Sequence, residues 1–235
     1  MIRKTLYLAA ISAAIIGCGG SGGSFKSGSK NGVPDVNDYP YYQLTQANKD
    51  DIAYMGNEER LAYDIYTYLY NYHLTNSNSK INQLINIANN SERVHIKVVR
   101  DLVNKYQLTP QDLTILTSNP VASPTTPQDQ LPMGRYDIEH IQNLYNSLKV
   151  KGEESIQDAL EVGCMVEVTD INDLNPKIKR AQESGAKDLE DIFIFLRSGS
   201  YNHYWAFDKG LKNLGVEDGC CSLGDDWCHP EYPKK

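Results

Sequence analysis

Four stretches of this chain repeat apolar residues at steps of three and four, and each breaks the repeat with a carboxylate or an imidazole. No other feature restricts the fold as much. The fullest case reads Ile81, Leu84, Ala88, Glu92, His95, Val99, Leu102, Tyr106, the seam of a helix packed against other helices. Glu92 and His95 stand three residues apart, so they share one helix face about a turn apart. A charge in such a seam needs a partner, because burying it alone costs several kcal/mol or shifts its pKa. A metal ion would satisfy both groups.

Taken alone, a Glu-x-x-His string is most often an ordinary solvated helix face. The other three stretches change that weighting. Ile52, Met55, Glu59, Ala62, Tyr66 and Leu69 put Glu59 where an apolar residue belongs. Ile156, Leu160, Gly163, Glu167, Asp170 and Leu174 place two acids in line, and Ile192, Leu196, Gly199, His203, Ala206 and Gly210 turn a histidine inward. Di-iron carboxylate bundles take one Glu from each of two helices and a Glu-x-x-His pair from each of the other two. Here the residue three before His203 is Ser200, so one carboxylate is lacking. Asp170 follows Glu167 by three residues on the same face. It is expected to fill the place, as a ligand or through a hydrogen bond to His203.

The segments Glu58-Glu59-Arg60-Leu61-Ala62-Tyr63-Asp64-Ile65-Tyr66, Ile87 to His95, Ala159 to Gly163, Glu167 to Leu174 and Ser200 to Phe207 resemble the ferritin-like superfamily. Within it they are similar to a bacterial and archaeal domain family of unknown function. The resemblance covers roughly residues 45–215. It implies an all-α, ferritin-like four-helix bundle with a dinuclear metal site, and it supplies no reaction. Ser200 departs from the superfamily's two Glu-x-x-His pairs.

Periodicity predicts helices over residues 48–72, 79–106, 155–175 and 188–214. Pro176 is expected to end the third, and Gly215 the fourth. The long crossover between the second and third holds Pro120, Pro124, Pro127 and Pro132, then a short amphipathic helix over 137–150. Tyr66 lies in the seam a heptad after Glu59. Three roles stay open for it: a hydrogen bond to a ligand, a redox-active phenol, or a core tyrosine with any partner. Glu58 points about a hundred degrees away from Glu59 and is expected in solvent. His73, at the helix end, is expected as a favourable C-terminal cation or a surface residue, and His140 at the surface. Gly163 and Gly199 in the seams suggest close helix approach or room for a ligand, offsetting their poor helix propensity.

Residues 1–17 read as a secretory signal: Arg3 and Lys4, then an apolar run from Leu6 to Ile16, too short to span a bilayer as a mature helix. Ile15-Ile16-Gly17-Cys18 resembles a lipobox, with Cys18 as the acylated residue. Residues 18–44 open with Gly and Ser and are expected to form a flexible tether. Together these imply a lipoprotein of the cell envelope, anchored to the membrane by lipid on its periplasmic or extracellular face. Outside the cytoplasm paired thiols oxidise. In the tail, 216–235, Cys228 is expected to bridge to Cys220 or Cys221, with Cys164 a reduced, buried hydrophobe. After residues 1–17 the balance is 21 basic to 30 acidic residues, net −9. With no basic cluster, nucleic acid is not an expected partner.

Glu59, Glu92, His95, Glu167, Asp170 and His203 are thus the expected ligands, with Tyr66 and Ser200 beside them. Carboxylate and imidazole donors suit two iron ions, or manganese. The functional expectation is a ferroxidase, or an oxidoreductase reducing dioxygen or peroxide. The rival is a non-catalytic metal-binding or structural envelope lipoprotein.

Overall fold

The structure, a computed structural model, describes residues 32–117 and 130–234. The expected signal peptide, Cys18 and the Gly/Ser part of the tether lie outside the described residues, as do Pro120, Pro124 and Pro127. The described chain is all-helical. α1 spans Gln46–Ser77. α2 (Asn82–Ile87) continues through a π turn, Ala88–Glu92, into α3 (Arg93–Lys105). α4 spans Glu139–Glu154, α5 Ile156–Ser184 and α6 Lys187–Asn213. No helix among the described residues is long and apolar enough to cross a membrane.

Local sequence explains most of the helix ends. Thr45 caps α1, accepting from the Asn48 backbone N–H while the Asn48 side chain answers the Thr45 N–H, so two orphan donors are satisfied reciprocally. Ser155 caps α5, its Oγ accepting the Asp158 backbone N–H. Gly185, with φ +72°, ends α5 in the left-handed region and lets the chain reverse directly into α6. Pro176 does not end the third helix as expected, since α5 runs on to Ser184. Its missing N–H would have bonded the Asn172 carbonyl, and both residues are exposed, so water can take the freed acceptor. One residue on, the Lys177 ammonium donates to the Asp173 carbonyl at 3.2 Å.

The apolar core divides into two clusters. One gathers Leu61 to Leu69 of α1, Leu84 to Ala88, the inner face of α4, the start of α5, and Tyr204 to Leu211 of α6. The other gathers Ile52 and Met55, Val98 to Leu102, Leu174 to Ala181, and Leu189 to Leu196. Each long helix crosses from one cluster to the other, and the order of crossing gives its direction. α1 and α6 run one way; α2–α3 and α5 run the other. The second and third long segments are therefore parallel, and their connection must travel the length of the bundle. The connection starts in the second cluster at Tyr106 and re-enters beside the first at Ile156, and α4 packs on α1 and α5.

α1 is wrapped by α2–α3, α4 and α5, and this corrects two expectations. Glu58 is not solvated: it is 2 % exposed. His73 is not at the surface. α1 continues past it to Ser77, and its Nε2 lies 2.8 Å from the Gly152 carbonyl at the end of α4. His140 is exposed. The packed chain also starts earlier than the tether boundary at residue 44. Val36 is buried against α3, and the Lys105 ammonium donates to the carbonyls of Val36, Tyr39 and Pro40.

The cysteines bring a third correction. Cys164 is not reduced; it is bonded to Cys220, and Cys221 pairs with Cys228. The physical reason is tail placement. After α6 the chain folds back, and Asp208 accepts the Cys220 N–H at 3.1 Å. Neighbouring cysteines in the 3-10 turn Gly219–Leu223 then face different ways. Non-reducing peptide mapping should therefore join the Cys164 peptide to the tail. The closed loop has a sequence separation of 56, so the Cys164→Ala, Cys220→Ala double variant should lose about 4 kcal/mol by the loop-entropy relation, read by urea unfolding.

Candidate metal centre

Between the two apolar clusters lies a polar layer, to which every long segment contributes. α1 supplies Glu59, the π turn Glu92, α3 His95, α5 Glu167 and α6 His203, all at most 6 % exposed. Glu92 is central. Its Oε2 lies 3.1 Å from His95 Nδ1 and its Oε1 lies 3.0 Å from His203 Nδ1. Glu59 closes the first side, Oε2 at 3.0 Å from His95 Nδ1, and Glu167 closes the second, Oε2 at 3.4 Å from His203 Nδ1. The ligand atoms of Glu59, Glu92 and His95 lie within 4.8 Å of one another, and so do those of Glu92, Glu167 and His203. The result is two three-residue sets sharing one carboxylate.

Several of these atoms are close without being hydrogen-bonded. Glu92 Oε1 and His203 Nδ1 approach at 3.0 Å, yet both are buried without a hydrogen-bond partner, as is Glu59 Oε1. Buried polar atoms are normally satisfied. Buried oxygens and an imidazole nitrogen that converge without a hydrogen bond fit a cation, and the donor set fits a divalent metal with a preference for oxygen and imidazole.

The electrostatics follow from burial. Desolvation pushes Glu59 up to about 7 against the pull of His95, and it raises Glu167 despite His203. Glu92 is also desolvated, but His203 and His95 flank it and hold it below the usual carboxylate range. Desolvation opposes the charge on His203, while Glu167 and Glu92 raise it to about 10. His95 is likewise raised, by Glu59 and Glu92. Without a metal, the two imidazoles serve as the cations that the carboxylates require.

The supporting contacts were only partly readable in advance. Tyr66 donates to Glu167 Oε1 at 2.5 Å, and its ring packs on Phe207. Ser200 donates to Asp170 Oδ2. The expected hydrogen bond from Asp170 to His203 does not form, and Asp170 stands outside both three-residue sets. Its partner is the side chain standing where a second Glu-x-x-His pair would put its glutamate. Ser91 was missed. Its Oγ lies 2.8 Å from His203 Nε2 and 3.5 Å from His95 Nε2, so it meets the far nitrogen of both rings. Ser91 and Glu92 follow Ala88 by three and four residues, so both lie on the seam face, within the π turn. The signal for Ser91 in the sequence was its spacing, three residues after Ala88 and four before His95.

Gly199 explains how two histidine rings fit between α3 and α6. A Cβ there would overlap Cε1 and Nε2 of His95, whose ring lies 5.5 Å from that of His203. Alanine in place of a mid-helix glycine ordinarily gains about 1 kcal/mol. Gly199→Ala should instead lose about 1–3 kcal/mol, the range for overpacking, when measured by denaturant unfolding of the metal-free protein.

Residues 48–225 match the family described as an uncharacterized protein domain, DUF2202. The chain is 30% identical over 180 residues to uncharacterized protein MJ0754 of Methanocaldococcus jannaschii, an alignment that covers 77% of this chain and 83% of the relative. The crystal structure of that hypothetical protein superposes with a TM-score of 0.61 at 30% identity, over 75% of this chain and 86% of the other. With its helices, its polar layer and most of its length inside the match, the chain belongs to the DUF2202 family.

Proposed function

We propose that this is a lipid-anchored envelope protein whose bundle, of the ferritin-like kind, holds two iron ions, and that it oxidises ferrous iron or reduces dioxygen or peroxide there. Glu92 carries the reading. A buried carboxylate with one oxygen toward each of two histidines, and a second acid closing each side, is the donor set of a pair of metal positions with a shared bridge. The opposed directions of the long helices and the crossover through α4 support the ferritin-like comparison. The envelope location rests on residues 1–18 alone. Manganese shares the donor preference.

When bound, two ferrous ions would each supply one electron to dioxygen or peroxide. The chain's own residues do the rest. His95 and His203 present Nδ1 to the carboxylates, with Ser91 Oγ positioned to accept from Nε2 and so hold the tautomer. The Tyr66 hydroxyl fixes Glu167, and the two apolar clusters keep bulk water from the layer. Glu59 turns Oε2 to His95 and keeps Oε1 buried without a hydrogen-bond partner.

Anaerobic reconstitution with ferrous iron, followed by elemental analysis, tests the binding. Two ions per chain are expected. Glu92→Ala should lose both, and Glu59→Ala one. Ser91→Ala should weaken affinity about 10–100-fold, the effect of removing a partner behind a ligand. One ion or none in the wild type would end the dinuclear reading. Two ions that stay ferrous under dioxygen and peroxide would favour the non-catalytic, metal-binding alternative.

A further inference from the structure

α1 and α5 carry a second line of acids that the proposed chemistry does not use. The helices run antiparallel, and three cross-pairs set their register: Arg180 with Asp51 at 2.8 and 2.5 Å, Tyr54 donating to Asp173 at 2.8 Å, and Tyr66 donating to Glu167 at 2.5 Å. Glu58 follows Tyr54 by four residues and Asp170 precedes Asp173 by three. Both steps stay on one helix face, so Glu58 and Asp170 oppose one another a turn inward from the Tyr54–Asp173 pair. Asp170 is the strongest electrostatic neighbour of Glu58. Asp173, Asp170 and Glu167 therefore form a ladder along α5, from a side chain 32 % exposed to two that are buried.

Glu58 is the unexplained member. It is 2 % exposed, and both of its carboxylate oxygens are buried with no hydrogen-bond partner. Asp170 Oδ1 is equally bare, while Oδ2 accepts from Ser200. Two opposed carboxyl groups short of donors are costly to bury unless a proton or a cation lies between them. The charged groups that act on Glu58 are Asp170, Asp173, Glu59 and Lys177. Lys177 shows that the outer end already holds a cation: its ammonium lies 3.6 Å from Asp173 Oδ1 and 3.8 Å from the Tyr54 ring centroid. Asp170 in turn feels Glu59 most strongly among charged neighbours, so the ladder leads to the Glu59–His95 side of the centre.

We propose that Glu58 and Asp170 form an additional divalent-cation position, through which ions pass from Asp173 at the surface to the dinuclear centre. The proposal rests on the dinuclear reading above. Two carboxylates leave most of a metal's coordination to water, so an ion there exchanges readily, as transit requires. Cobalt(II) uptake by the full folded domain, followed by stopped-flow absorption and closed by equilibrium titration, tests it. Glu58→Gln, matched in shape and checked for an unchanged thermal melt, should load at least tenfold more slowly and still finish at two ions. Lys177→Met, which removes the resident ammonium, should load faster. Loading of Glu58→Gln within twofold of wild type overturns the route alone. Loss of an ion from that variant at equilibrium also overturns it, because Glu58 would then belong to the centre. Wild type that takes up no cobalt overturns the dinuclear reading and the route with it.

Discussion

A glutamate inside the bundle with a histidine on either side is the contact around which this fold is arranged. Glu92, His95 and His203 come from two separate long segments, and none could be buried alone without shifting to its neutral form. Their mutual approach at 3.0–3.1 Å keeps charge in a place that sequence patterning would fill with leucine. Glu59 and Glu167 complete the layer from the remaining two helices. The layer divides the apolar core in two, and the separate halves then have to supply the packing that holds five polar side chains in register.

That demand accounts for irregularities elsewhere. The π turn, Ala88–Glu92, lies where Ser91 and Glu92 enter the layer, directly before His95. Gly199 is bare because the His95 ring lies against its backbone. Gly163 is bare because Phe207 packs there, and Phe207 in turn supports the Tyr66 ring that holds Glu167. A rigid surround is what keeps unpartnered lone pairs apart without collapse into hydrogen bonds.

The tail and the crossover close the bundle from outside. Two parallel long segments need a connection as long as the bundle, and α4 uses it to bury Ile141, Tyr145 and Leu148 against α1 and α5. The disulfide from Cys164 ties the C-terminal turns to α5 one helical turn from Glu167. The covalent tie thus lies beside the layer rather than at a free end.

Helix content, the four interrupted seams, and Glu59, Glu92, His95, Glu167 and His203 as inward-facing groups were legible in the residues. Steps of three and four record which face of a helix is buried, and a charge on that face stands out against its apolar neighbours. Other features had no one-dimensional signature. Glu58 reads as solvated because periodicity assumes one buried face, whereas α1 is enclosed by three neighbours. Ser91 stands on the seam face by spacing, three residues after Ala88 and four before His95, but a small hydroxyl there carries no mark of its histidine partners. Asp170 reads as a ligand or a partner of His203, but its orientation depends on how α5 meets α6, and there Ser200 donates to it. Cys164 reads as a small hydrophobe because its partner lies at a sequence separation of 56, and pairing across that span depends on where the tail folds. The sequence by itself determined which side chains turn inward. Only tertiary packing decided which of them meet, because meeting depends on crossing geometry, local pitch and chain reversal, which belong to pairs of elements and not to any one stretch of residues.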